Sequence, residues 1–230
     1  MKPRIKEAEW LAANRDQLFY QGVVLSKRKA RLALCACARR VLSILRNDSI
    51  CINLLDLCEK YSEGPKSRGS ANWKAVLTAA KPLKDILHSM CRNRSTKKKL
   101  AFGYQAIECA AAPFSSGSAG LTFESAEYAS AAAKRAVYDE VERSIQVALL
   151  RDIFGNPFRP VNFAPEWRTS TVVSLAKSMY DSRDFSPMPI LSDALQDAGC
   201  EHEDILNHCR AASGVHVRGC WVVDLILEKS

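Results

Sequence analysis

The stretch Ser26–Arg46, SKRKARLALCACARRVLSILR, carries the clearest structural signal in this chain of 230 residues. Its apolar residues recur every three or four positions, which is the period of an amphipathic helix. These residues are Ala30, Ala33, Leu34, Cys37, Val41, Ile44 and Leu45. Ser26 is a typical N-terminal cap, because its hydroxyl can accept a hydrogen bond from an early backbone amide of the helix. The pattern predicts one helix over residues 26–46, with Arg28, Arg31, Arg39 and Arg46 pointing away from its apolar face.

The same helical period recurs on both sides of this stretch. It predicts helices over residues 7–20, 48–61, 73–91, 98–112, 123–153, 165–180 or 169–180, 189–198, 203–210 and 218–228. The first of these would bury Trp10, Leu11 and Leu18, and Pro82 predicts a kink or break inside the helix over 73–91. Alternation typical of strands is nearly absent. We therefore expect an all-α protein, an irregular bundle of about eight to ten helices.

A run of small and polar residues, PFSSGSAG at 113–120, is the best candidate for a boundary within the chain. The charge changes sign there, because residues 1–115 hold 22 Lys and Arg against 9 Asp and Glu, and residues 116–230 hold 11 against 16. We expect a basic helical half over 1–112, a Ser/Gly-rich linker or loop over 113–122 and an acidic helical half over 123–230. Packing of the two halves as one domain stays open.

Positive side chains form two groups in the basic half. They are Lys27, Arg28, Arg31, Arg39, Arg40 and Arg46 in the first stretch, and Arg92, Arg94, Lys97, Lys98 and Lys99 in a connector. Guanidinium groups bind carboxylates and phosphates equally well, so both an acidic protein surface and a nucleic acid fit this chemistry. Aromatic residues do not interleave with the charges, and neither a helix-turn-helix nor a zinc-finger pattern is present.

These charges favour a non-catalytic helical accessory or adaptor protein whose basic N-terminal half binds an acidic protein partner. The alternative is a nucleic-acid-binding subunit of a larger nucleoprotein effector complex. The chain has no phosphate-binding loop, dinucleotide fingerprint, His-Glu-x-x-His or Gly-x-Ser-x-Gly motif, which argues against the enzyme classes that use them.

Histidine and cysteine concentrate near the C-terminus, where three of the four histidines and three of the nine cysteines fall between residues 200 and 220. The spacing Cys-x7-His-x7-His-x3-Cys over Cys200, His208, His216 and Cys220 offers the four donors of a Cys₂His₂ zinc site. The CxxC pair that makes such predictions specific is missing, and buried packing cysteines with surface histidines are the ordinary alternative. Cys220 with His216 or His208 as base is a further alternative. A small zinc protein or a Cys-His enzyme is therefore the second alternative function, and zinc is the one cofactor to consider.

Four segments of the second half carry a resemblance. They are LLRDIFGNPFRPV at 149–161, PILSDALQDAGC at 189–200, ILNHCR at 205–210 and HVRGCWVVDL at 216–225. Together they resemble a family of uncharacterised bacterial proteins of the planctomycete type. The resemblance covers residues 149–228, extends loosely to the first 60 residues and hardly includes the middle. It implies a bacterial protein and brings no activity with it.

The cysteine content indicates a reducing compartment. Nine is an odd number, and several cysteines stand in apolar runs, where a free thiol behaves as a small hydrophobic residue. No run approaches the roughly 18 apolar residues of a membrane-spanning helix, and no apolar segment follows the charged start. We expect a cytoplasmic protein that does not bind a membrane.

Overall fold

The computed structural model describes residues 6–12, 26–64, 71–92, 104, 107, 139–211 and 214–229. All regular structure in these ranges is helical, which confirms the predicted all-α bundle. The α-helices of the described ranges are α1 (Glu7–Ala12), α2 (Lys27–Arg39), α3 (Ser49–Glu63), α4 (Ala71–Arg92), α5 (Asp139–Phe154), α6 (Ser170–Ser182), α7 (Met188–Asp197), α8 (Glu203–Arg210) and α9 (Trp221–Ile226), with a 3₁₀ helix at Pro165–Trp167. No helix in these described ranges has the length and apolar character needed to cross a membrane.

The chain divides into two compact units, Met1–Val147 and Ala148–Ser230. The division falls inside α5, whereas the linker predicted over 113–122 lies outside the described residues. The long helix predicted over 123–153 is described only from Asp139 onward. The helix predicted over 98–112 is described only at positions 104 and 107, which are both helical.

Helix α2 is deeply buried in the N-terminal unit. Its predicted cap is confirmed, because the Ser26 hydroxyl accepts a hydrogen bond of 3.2 Å from the Lys29 amide. The helix ends at Arg39 rather than at residue 46, and the chain turns through Arg46 and Asn47, both at positive φ. Residues 32–38 are buried on every side of the helix, since the small alanine and cysteine side chains allow neighbours to approach closely.

The arginines of α2 do not all point away from its packed face. Arg28 is buried, and its Nε donates to Glu63 Oε1 at 2.9 Å. Arg39 donates through Nε to Glu59 Oε1 at 2.6 Å and through Nη2 to Asp56. The three carboxylates stand three and four positions apart on α3, so they form one stripe on the helix that packs against α2. The predicted outward orientation is therefore wrong for Arg28, because a carboxylate inside the unit binds it.

Of two smaller expectations for this unit, the buried position of Leu11 is wrong, and the break at Pro82 is not found. In α1, Trp10 is buried as predicted, but Leu11 is 53% exposed. Adjacent residues of a helix point in different directions, and only the side that carries Trp10 is packed. Helix α4 continues through Pro82 without a break. Proline removes the hydrogen bond to the carbonyl four residues earlier, that of Thr78, and both residues are exposed, so water can bind that carbonyl instead.

The C-terminal unit is built on a core shared by α6, α7, α8 and α9. Its buried residues include Val172, Ala176, Met179, Leu191, Leu195, Ile205, Cys209, Val222, Val223 and Ile226. Gly199, at φ +84°, follows the C-terminus of α7, which confirms the predicted glycine stop. The predicted helices over 189–198 and 203–210 are confirmed within two residues, whereas the last one is shorter than predicted and begins only at Trp221.

Two arginines bind the C-terminal ends of helices in this unit. Arg168 donates to the carbonyl oxygens of Leu225 and Ile226 at the end of α9. Arg218 donates to the carbonyl oxygens of Tyr180 and Asp181 near the end of α6. Carbonyls in the last turn of a helix lack the amide partner four residues further on, so each guanidinium supplies a donor and a positive charge at a helix C-terminus. Arg218 thereby anchors the segment that precedes α9.

We expect Arg39→Ala to lower the free energy of unfolding by about 3 kcal/mol, because the Glu59 carboxylate, 4% exposed, loses this cation in the interior. Lys84→Ala, on the exposed side of α4, is the control and should change it by less than about 0.5 kcal/mol. Urea unfolding of the full chain, followed by circular dichroism, measures both. Equal effects of the two substitutions would contradict a stabilising role for the Arg39 ion pairs.

Candidate metal centre

Four side chains from separate parts of the C-terminal unit converge on one point. Asp152 lies in the last turn of α5, His208 in the last turn of α8, His216 in the segment before α9, and Cys220 directly precedes α9. Each offers one atom that can bind a metal, and these four atoms all lie within 4.8 Å of one another. Asp152 stands 64 positions from His216 in the chain, so only the fold brings them together.

Three contacts within the cluster are somewhat shorter than those of a tetrahedral ligand shell, and the remaining pairs of donor atoms lie within 4.8 Å of one another. His216 Nδ1 lies 2.8 Å from Asp152 Oδ1, and His208 Nε2 lies 3.2 Å from the same oxygen. His208 Nε2 also lies 3.2 Å from Cys220 Sγ. Zinc bond lengths place tetrahedral ligand atoms about 3.3 to 3.6 Å apart. An expansion of about half an ångström or less brings these contacts to the spacing that the metal requires.

The Asp152 side chain is 3% exposed, so its charge needs partners. Burial, the largest single influence, raises its pKa, but hydrogen bonds and positive charge from His208 and His216 together outweigh burial and lower the pKa below its ordinary value. Its second oxygen, Oδ2, accepts a hydrogen bond of 3.0 Å from the Val217 amide. The carboxylate is therefore ionised and held by two separate segments of the chain.

Cys220 is fully buried. Burial and the neighbouring Asp152 carboxylate raise the pKa of its thiol well above the ordinary value. A thiol in this environment stays protonated and unreactive toward electrophiles. A cation bound beside it reverses this preference, because a thiol that coordinates a metal loses its proton.

Hydrogen bonds alone satisfy this cluster poorly. His208 Nε2 has one hydrogen or one lone pair, yet it faces both a carboxylate oxygen and a sulfur at the same distance. His216 faces the cluster through Nδ1, whereas its buried Nε2 lies next to Gly214 and has no hydrogen-bond partner. A metal ion at the centre would give the carboxylate, the imidazoles and the thiolate a common partner.

The backbone around His216 holds its ring in place. A Cβ atom at Gly214 would lie 2.7 Å from His216 Nε2 and 2.9 Å from the Ala211 carbonyl oxygen, so glycine leaves the space that the ring needs. The His208 ring packs edge-on against His216, at 4.9 Å between centroids, and lies 5.1 Å from the Trp221 ring. The imidazoles are thus oriented by packing as well as by Asp152.

The structure brings together three of the four ligands that the spacing predicts. Cys200 is not part of the group: it lies in the hydrophobic core, where its sulfur accepts a hydrogen bond from the His202 backbone amide at the start of α8. Asp152 takes the fourth place, and the sequence interpretation missed it. A signal was present, because Asp152 is an acidic residue between Leu150 and Ile153 on a buried helix face.

The predicted basic groups are largely occupied within the N-terminal unit or fall outside the described side chains. Arg28 and Arg39 bind the carboxylates of α3, and Arg40 donates to the buried Glu142 at 3.1 Å. Arg31 is half-buried with its guanidinium over the Tyr61 ring, and Arg46 is exposed. Arg94, Lys97, Lys98 and Lys99, and the side chains of Lys27 and Arg92, lie outside the described part.

Binding of an acidic protein or a nucleic acid by this half therefore stays a prediction. Three of its arginines already have carboxylate partners in the same unit, so the charge available to a partner is smaller than the sequence suggests.

Comparisons with known proteins add no function to this geometry. No family model, curated protein or solved structure matches the chain. The planctomycete-type resemblance stays a prediction.

We expect Asp152→Asn to lower the free energy of unfolding of the C-terminal unit by about 3 kcal/mol in metal-free buffer. Asparagine presents an NH₂ group either to the Val217 amide or to the imidazoles, where Asp152 presents an accepting oxygen to each. Asp193→Asn, exposed on α7, is the matched control and should leave stability within about 0.5 kcal/mol of the parent. Thermal and urea unfolding measure the difference. An Asp152→Asn variant as stable as the parent protein would contradict the structural role of the carboxylate.

Proposed function

We propose that the C-terminal unit is a zinc-binding module in which Asp152, His208, His216 and Cys220 hold one Zn²⁺ ion. The observation that carries the proposal is the convergence of four different donor atoms within 4.8 Å in a largely buried site. On this proposal the chain is a small zinc protein, and the ion stabilises its fold.

The donor set favours zinc over the common hard cations. Magnesium and calcium take oxygen ligands, whereas imidazole nitrogen and thiolate sulfur suit zinc and its neighbours among the transition metals. Only one of the four donors, Asp152, is an oxygen ligand. Zinc accepts all three ligand types at bond lengths between about 2.0 and 2.3 Å, and its d¹⁰ shell accommodates a tetrahedron without a geometric penalty.

The same residues do not have the arrangement of a Cys-His-Asp catalytic triad. A triad needs the carboxylate on one imidazole nitrogen and the nucleophile on the other. Here Asp152 and the Cys220 sulfur both face Nε2 of His208. His216 faces Asp152 through Nδ1, but its Nε2 has no hydrogen-bond partner and therefore does not bind the thiol. The thiol is also fully buried, with a raised pKa, so substrate cannot reach it and the thiolate is disfavoured.

Four protein ligands indicate a structural zinc ion rather than a catalytic one, because catalytic sites keep a position for water or substrate. The ligands come from the end of α5, the end of α8 and the segment leading into α9. One ion would thus join three parts of the unit, and its binding free energy would add to the stability of the fold.

The test is the metal content of the purified full chain. Wild-type protein prepared without chelator should hold about one equivalent of zinc. Cys220→Ser should hold less than about one-tenth of an equivalent, because the hydroxyl of serine is a poor zinc ligand. Elemental mass spectrometry measures both.

Cys200→Ser is the matched control, since it replaces a buried sulfur that the spacing also suggests as a ligand but that lies outside the cluster. It should keep its zinc. Equal loss from both variants, or a wild-type protein that binds no zinc on reconstitution, would refute the proposed module.

A further inference from the structure

The four donors of the cluster differ in their access to solvent. The side chain of His208 is 19% exposed, against 7% for His216 and 3% for Asp152, and Cys220 is fully buried. Solvent therefore reaches the cluster at the His208 edge. Asp152 and Cys220 are buried, and the side chain of His216 is less exposed than that of His208.

The four donors also differ in how firmly the backbone holds them. Asp152 is bound by the Val217 amide, and Cys220 is fully buried at the start of α9. His216 is confined between Asp152 and the backbone at Gly214. Every polar contact that His208 makes within the described residues is to Asp152 or Cys220, so no hydrogen bond from outside the cluster holds its nitrogen atoms.

We propose that metal enters and leaves this site at the His208 edge, where His208 can be replaced by a nitrogen donor from solution. The proposal rests on the zinc-binding function proposed above and adds how the ion is exchanged. Asp152, His216 and Cys220 form a preorganised set of three ligands, and His208 completes it as the exchangeable fourth ligand. A protein or small molecule that presents an imidazole could thus take the ion from this site or deliver it.

The exchange is a simple ligand substitution. The lone pair of the incoming nitrogen forms a bond to the metal while the bond from His208 Nε2 breaks, and the lone pair stays on Nε2. No electron is transferred and the oxidation state of the metal does not change. Because the Trp221 ring lies 5.1 Å from the His208 ring, displacement of His208 changes the surroundings of this indole.

Chemical rescue by free imidazole tests the inference. His208→Ala leaves a space of imidazole size at the exposed edge, whereas His216→Ala leaves it in the enclosed part of the cluster. Cobalt(II) is the probe, because its visible absorption reports tetrahedral coordination and thiolate ligation. Each substitution should weaken Co²⁺ binding by about 100-fold or more, since loss of an outer-shell partner alone costs 10- to 100-fold.

Millimolar imidazole should restore the wild-type Co²⁺ spectrum of His208→Ala and raise its affinity for Co²⁺ by at least about tenfold. Neither change should occur with His216→Ala. Rescue of both variants or of neither would overturn the inference. Circular dichroism of the metal-free variants identifies any variant that fails to fold. In that case, the rate of metal release from the wild-type protein tests the inference instead.

Metal release from the wild-type protein gives a second measurement that needs no substitution. The rate at which Co²⁺ passes to an added chelator should rise several-fold with imidazole concentration, because the incoming donor takes the His208 position. A rate independent of imidazole would overturn the inference. If wild-type protein binds no Co²⁺ at all, the zinc-binding function itself fails, and this result is distinct from either failure of exchange.

Discussion

The ionised carboxylate of Asp152 is the interaction on which the C-terminal unit depends. A carboxylate that is 3% exposed must be surrounded by donors or cations, since an isolated buried charge is prohibitively unfavourable. The partners are two imidazoles and the Val217 amide, and they come from α8 and from the segment before α9. The donors that bind the Asp152 carboxylate therefore bring together parts of the chain that are far apart in sequence. The thiol of Cys220 lies on one of these parts and is placed beside the carboxylate.

The N-terminal unit also contains buried carboxylates, but there arginine side chains bind them. There, Arg28 and Arg39 bind a stripe of carboxylates on α3, and Arg40 binds the buried Glu142. Each guanidinium is a permanent cation with several donors in a fixed geometry, so charge and hydrogen bonds are satisfied together. Such pairs have no need of a metal. The Asp152 cluster differs because a thiol and two imidazoles can all present lone pairs to the same point.

This contrast also explains which sequence interpretations succeeded. Helix positions, the Ser26 cap and the Gly199 stop depend on residues within a few positions of one another, and the sequence predicts them well. The excess of arginine in the first half predicted an outward-facing surface, but charge counting does not reveal that α3 carries matching carboxylates toward α2. Spacing near the C-terminus identified His208, His216 and Cys220, because these three ligands lie within a short segment.

The spacing near the C-terminus does not include Asp152, because this residue lies on another helix. It includes Cys200 because that residue is close in sequence to the two histidines and to Cys220. Sequence separation is a poor measure of distance once helices pack, and a core position suits cysteine without any ligand role. By itself, the amino-acid sequence determined the helical class, most helix boundaries and the residue types available for chemistry, since these follow from local hydrogen bonding and apolar periodicity. Only the tertiary structure decided which arginines are bound internally and that Asp152 joins His208, His216 and Cys220, because long-range packing alone sets which buried charges must share partners.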